Sequence, residues 1–194
     1  ISNTSNYGVY TNGNSTPIID NVVIQNCSQD PIAMSLTSNP TFNNIIFISN
    51  FSQAIKIIEG TLSSNATLFP RNVAGIMNIA YVVNQLTISS NARLAVQPGV
   101  VIKFRGPNTY SNTYIKVQGN LFAKGTASKK IYFTSFADDS KGGDSNNNGN
   151  ATAPDKGDWG QGYRYYVWDP FPGGIIIENN NQVSDTVNSF KNCE

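Results

Sequence analysis

The 194-residue chain contains no histidine. Nucleophile schemes in which an imidazole activates serine or cysteine are therefore excluded. Charge is also scarce: Asp, Glu, Lys and Arg make up 13% of the residues, and the formal net charge is +1. With no basic stripe to track a phosphate backbone, a nucleic-acid partner is not expected. No apolar run approaches the roughly 18 residues of a membrane span. Two cysteines, Cys27 and Cys193, are too few for a disulfide framework.

What is abundant is Asn, Ser and Thr, set between short runs of Val, Ile and Phe, and the runs repeat. PIIDNVVIQNCSQDPIAMSL begins at Pro17 and PTFNNIIFISNFSQAIKII at Pro40. An offset of 23 lays Ile19 on Phe42, Val22 on Ile45, Ile24 on Phe47, Ile32 on Ile55 and Met34 on Ile57, and run backwards it puts Val9 under Ile32. A period of this size, built of β-type runs broken by turn residues, predicts a solenoid. The Asn residues fall at turns, where Asn tolerates left-handed backbone. Asn26 and Asn50 are candidates for a ladder inside the solenoid, with a surface loop as the alternative. VVIQNC and NSFKNC predict equivalent inward positions for the two cysteines, as small buried thiols.

Residues 1–60 thus read as β-helix coils. Residues 61–85 break the period; VAGIMNIAYVV is apolar enough for a helix or a buried strand, and the stretch is expected to be a junction. A second set of coils is expected over 86–194. There an offset of about 21 lays Leu94 on Ile115, Val96 on Val117, Val100 on Leu121 and Ile102 on Ala123. A polar and aromatic insert at 136–172 interrupts them, and GGIIIE at 173–178 resumes a strand. Long loops in compact folds are usually functional. The opening ISNTSNYGVY has no charged or apolar leader pattern, and FKNCE stops where a coil is expected to continue, so the chain is expected to be an excerpt of a longer protein.

LAVQPGVVIKF, IKVQGNLFAKGTASKKIYFTS and DDSKGGDSNNNGNATAPDKGDWG together resemble right-handed parallel β-helix domains of large bacterial secreted and cell-surface proteins. The resemblance covers 86–178, with generic β-helix repeats over 5–58. It implies the pectate-lyase-like fold, in members that mostly carry no enzyme site, and an extracellular or surface location. The chain departs from the pattern after GDWG, where QGYRYYVWDPFPG intervenes before the next strand. The fold class expected is therefore all-β: a right-handed parallel β-helix with coils of about 21–23 residues and one long inserted loop.

Three features are candidate sites. D-S-N-N-N-G-N at 144–150 fits the core of a calcium loop, with Asp144, Asn146 and Asn148 as first, third and fifth positions and Asn150 offering its carbonyl. Asp155 stands at the twelfth position, and Asp139 and Asp158 are further carboxylates nearby. A structural Ca2+ pinning the insert is the expectation, against a flexible loop that needs no ion. The run 163–171 gathers Tyr163, Tyr165, Tyr166, Trp168 and Phe171, which suit a sugar ring or a partner protein, or a lid over the solenoid. Lys103–Arg105 and Lys129–Lys130 read as solvated faces rather than a substrate clamp, and Trp159 is expected to pack against the coils.

The function expected is a non-catalytic structural or adhesive segment, with polysaccharide or another surface protein as partner. One alternative is part of a carbohydrate-active lyase or hydrolase, although Asp138–Asp139 is the only adjacent carboxylate pair and neighbours on a strand face opposite ways. Another is a self-stacking filament, since a terminal coil exposes strand edges.

Overall fold

The computed structural model describes residues 1–106, 112–160, 173–178 and 188–194. Among these the structure is all-β without a helix, a parallel β-solenoid of about five turns. The first coil holds β1 (Val9–Thr11) and β2 (Ile18–Gln25), and the second holds β3 (Ile32–Met34) and β4 (Thr41–Ile48). From the third onwards a coil carries three strands. These are β5 (Ile55–Ile57), β6 (Gly60–Leu62) and β7 (Ala66–Leu68), then β8 (Tyr81–Val83), β9 (Gln85–Ile88) and β10 (Arg93–Val96). They continue as β11 (Val101–Phe104), β12 (Tyr114–Val117) and β13 (Asn120–Lys124), then β14 (Tyr132–Ser135), β15 (Gly174–Ile177) and β16 (Ser189–Lys191).

One six-stranded sheet, ordered β1-β3-β5-β8-β11-β14, runs the length of the stack. Two four-stranded sheets, β6-β9-β12-β15 and β7-β10-β13-β16, form the other sides of the later coils, and β2 pairs with β4 beside the first ones. The 23-residue repeat is realised in register: Val9 on Ile32 on Ile55, and Ile19, Val22 and Ile24 on Phe42, Ile45 and Phe47. Asn21 (φ 54°) and Asn44 (φ 49°) sit at the same point of β2 and β4 and switch which side chains face inward. Left-handed backbone costs other L-residues roughly 1–2 kcal/mol, and Asn visits it more readily. Asn3, Asn26 and Ser49, again 23 apart, are left-handed at the next corner.

Inward residues form one continuous core. Leu86 and Ile88, Leu94 and Val96, Ile115 and Val117, and Leu121 and Ala123 are all buried, alternating with less buried neighbours as strands require. Of the two ladder candidates Asn50 is buried, but its partners are backbone groups of the preceding coil and not another Asn: its Oδ1 accepts from Cys27 N (3.1 Å) and its Nδ2 donates to Ile24 O (2.9 Å). Asn26 takes the other reading. It is exposed, and its side chain bonds Asn3 at the surface corner. Cys27 is buried and Cys193 partly so; both are free thiols that follow a left-handed Asn (Asn26, Asn192).

Two expectations about register change. The 21-residue pairing does not form: Leu94 stacks on Leu121, Val96 on Ala123, Ile115 on Leu86 and Ile102 on Phe133. The residues matched at an offset of 21 belong to different sheets, because three strands per coil lengthen the repeat. The 61–85 stretch supplies β6, β7 and β8, and β8 pairs with both β5 and β11. The six-stranded sheet thus passes through the stretch read as a junction.

Candidate functional site beneath the insert

A three-residue strand with inward ends must point its middle residue outward. In β3, β5 and β8 those outward residues are Ala33, Lys56 and Val82, Lys103 of the four-residue β11 stands in register with Val82, and all four are at most 3% exposed. The cover over Lys103 is the insert. Gly142 O accepts from Ala80 N (3.2 Å) and Ser145 O from Gln53 N (3.0 Å). Asn147 donates from Nδ2 to Asn50 O (2.8 Å) and accepts at Oδ1 from Gln53 Nε2 (2.6 Å). The approach is close enough to require glycine at two positions. A Cβ on Gly142 would stand 3.0 Å from Ala80 Cβ and one on Gly143 2.8 Å from Ile76 Cγ2, and both residues have positive φ.

Lys103, expected to be solvated, is fully buried. The sequence placed it correctly on the outer face but carried no sign that 142–147 would fold back over it. Its Nζ donates to Gly143 O and Ser145 Oγ, both at 2.8 Å. Burial lowers its pKa to about 8, while the carboxylates of Asp138, Asp139 and Asp144 oppose that fall. For Asp138, burial pushes upward but bonds from Ser140 and Thr134 outweigh it, so the carboxyl lies below its ordinary range. Asp139 has no such donors; burial, then Asp144, pushes it up.

Two further clusters lie on the same side of the stack. Asp30 is completely buried and is held by Ser52 Oγ (2.6 Å) and by both terminal nitrogens of Arg105 (2.5 and 3.1 Å). The Arg105 guanidinium, also expected in solvent, is only 20% exposed and lies over the rings of Phe136 (4.5 Å) and Phe51 (5.2 Å). Lys56 Nζ donates to Asn84 Oδ1 (2.6 Å) and Glu59 Oε1 (3.1 Å); burial lowers its pKa and Glu59 opposes this. Asp30 and Arg105 are 75 residues apart, and no local motif links them.

The expected calcium ligands divide between two places. Asp144 closes its own loop, accepting from Asn148 N (3.1 Å) and Gly149 N (2.7 Å). Asn146 and Asn148 both donate to Thr152 Oγ1 (2.8 and 3.0 Å), and Asn150 is exposed. Asp155 and Asp158 sit together elsewhere: Asp158 Oδ2 accepts from Asp155 N (2.9 Å) and Ser135 Oγ (2.6 Å). Among the described residues no three or more acidic, Cys or His side chains gather as a metal centre. Both oxygens of Asp139 and Oδ1 of Asn146 are nonetheless shielded from solvent without a hydrogen-bond partner. Trp159 packs as expected, stacked on buried Phe104 with ring centroids 4.1 Å apart. Tyr163, Tyr165, Tyr166, Trp168 and Phe171 lie outside the described residues.

What this arrangement does chemically is anchor. Each buried cation is spent on carbonyls, hydroxyls or carboxylates of the chain itself. No family model matches the chain, and neither the curated proteins nor the solved structures give a significant match.

Proposed function

We propose that this chain is a non-catalytic structural and adhesive segment of a large extracellular or cell-surface bacterial protein, a right-handed coil stack of the pectate-lyase-like kind. The observation that carries this reading is the covered outer face of the long sheet at β3, β5, β8 and β11. Lys56, Lys103 and the Asp30–Arg105 pair are engaged internally, and residues 142–147 of the insert lie over that face. Stacked coils sharing one core give stiffness, and the covered face protects the buried charges from competing water. The test is incubation with a panel of neutral and acidic polysaccharides, followed by chromatography for released oligosaccharides. Intact polymers are expected; reproducible chain cleavage would overturn the reading and favour a carbohydrate-active segment.

The insert also supports a structural calcium ion. A cation held at Asp139, Asp144 and Asn146 would satisfy the Asp139 and Asn146 oxygens that otherwise lack partners, and it would tie the start of the insert to its 144–146 turn. Asp155 and Asp158, engaged with Ser135, belong to a separate turn. Calorimetric titration of Ca2+ into chelator-treated protein tests this. Binding with a raised melting temperature, lost in Asp144→Ala, is expected; no heat and no shift reduce the insert to a self-sufficient cover pinned by Lys103.

A further inference from the structure

The turns that lead into β8, β11 and β14 stand side by side, and with the start of the insert they form a pocket. Its volume is about 310 Å³, at the small end of the roughly 300–1,000 Å³ of small-molecule sites. Lys129, Lys130 and Lys141 line it, and no Asp or Glu does. Lys130 Nζ donates to Glu194 at 2.7 Å, while both side chains remain about half exposed. Asp138, next to the cavity in sequence, is turned into bonds with Thr134 and Ser140. The rest of the wall is mixed: Asn78, Ser128 and Ser140 are polar, and Pro98, Met77 and Tyr132 add apolar surface, with Lys141 Nζ 4.9 Å from the Tyr132 ring centre. Met77 is 75% exposed, an apolar side chain left in solvent at the edge of a cationic pocket.

We infer that this cavity binds an anionic sugar unit of an acidic polysaccharide. Lysines supply point charges for a carboxylate or sulfate, and proline and tyrosine surfaces suit the C–H face of a sugar ring. Three lysines gather at one pocket of a chain whose net charge is only +1, which fits a single acidic residue better than a long polyanion. The inference rests on the adhesive reading above and names its ligand class.

The test is calorimetry at low salt with a galacturonic acid trimer, its fully methyl-esterified form, inorganic sulfate, and vesicles of anionic lipid. The trimer is expected to bind, and the ester to bind at least about tenfold more weakly, as the loss of a charged hydrogen bond dictates. Lys129→Ala and Lys141→Ala should each weaken binding about tenfold with an unchanged circular dichroism spectrum, and Lys141→Arg should retain it. The site is overturned if the ester binds as tightly, if the lysine variants bind like wild type, or if sulfate alone binds as well as the trimer. Adsorption to vesicles without binding of the trimer also overturns it, in favour of a membrane contact. Recovery of the trimer separates the two readings: cleaved trimer refutes the non-catalytic scaffold, whereas intact trimer without heat refutes only the pocket.

Discussion

Lys103 gives the sharpest quantitative expectation. Its ammonium is fully buried, so no solvent screening discounts the penalty, and its pKa falls to about 8 from 10.5. At about 1.36 kcal/mol per pKa unit, keeping it protonated in the folded state costs on the order of 3 kcal/mol. A depressed lysine pKa means the unfolded chain holds the proton more tightly. Below about pH 8 both states are protonated and the penalty is constant; between about 8 and 10.5 the folded state releases its proton first, so stability rises with pH. Urea denaturation of wild type and Lys103→Met across this window measures the effect, since methionine keeps the apolar stem without the charge. Other titrating groups, Lys56 included, are common to both proteins and cancel in the difference. Wild type should gain about 3 kcal/mol on the variant from pH 7 to 10.5. Parallel curves would show that the ammonium is hydrated and that the insert does not seal it.

The Asp30–Arg105 pair should behave as one unit. Arg105→Ala leaves a buried carboxylate with only Ser52 and is expected to cost about 3 kcal/mol. The Asp30→Asn/Arg105→Met double variant should recover most of that loss in a double-mutant cycle. Asn50→Leu orphans Cys27 N and Ile24 O, at about 1–3 kcal/mol for each group; thermal melts should show it, and Cys27 should become faster to react with a thiol reagent. Gly119→Ala places a Cβ 2.2 Å from the carbonyl oxygens of both Ser89 and Ala92, so the corner must move. A loss of about 1–3 kcal/mol or more is expected. Gly149→Ala meets open space and has only its positive φ to resist it, so its cost should stay near 1 kcal/mol.

The first half of the solenoid was legible because its coils repeat residue type as well as spacing. Pro17 and Pro40, Asn21 and Asn44, and Ile32 and Ile55 fall 23 residues apart and occupy equivalent positions. The second half repeats only a small pattern, two apolar residues flanking one other. LTI, LAV, IKV and LFA all carry it, yet they belong alternately to two different sheets. An offset of 21 satisfies the pattern while joining the wrong sheets, and only the turn lengths distinguish the two solutions. The site was less legible still. Lys103 read as outward, which it is; its burial, like that of Lys56, depends on what else covers the sheet. The Gly142–Gly143 pair was the one local trace of that cover, since adjacent glycines permit close backbone approach. Asp30 and Arg105 meet across three coils, and such a contact has no spacing to find.

The account stands on the insert being a built cover of the long sheet, and backbone hydrogen exchange tests this most directly. The amides of Gln53 and Ala80 donate to Ser145 and Gly142 of the insert, so they report the cover itself. They are expected to exchange as slowly as Ile55 and Lys103 within the sheet, and to be released selectively in Lys103→Ala. Exchange of both amides at the rate of an unstructured peptide, with the sheet still protected, would contradict the sealed face and the scaffold reading built on it.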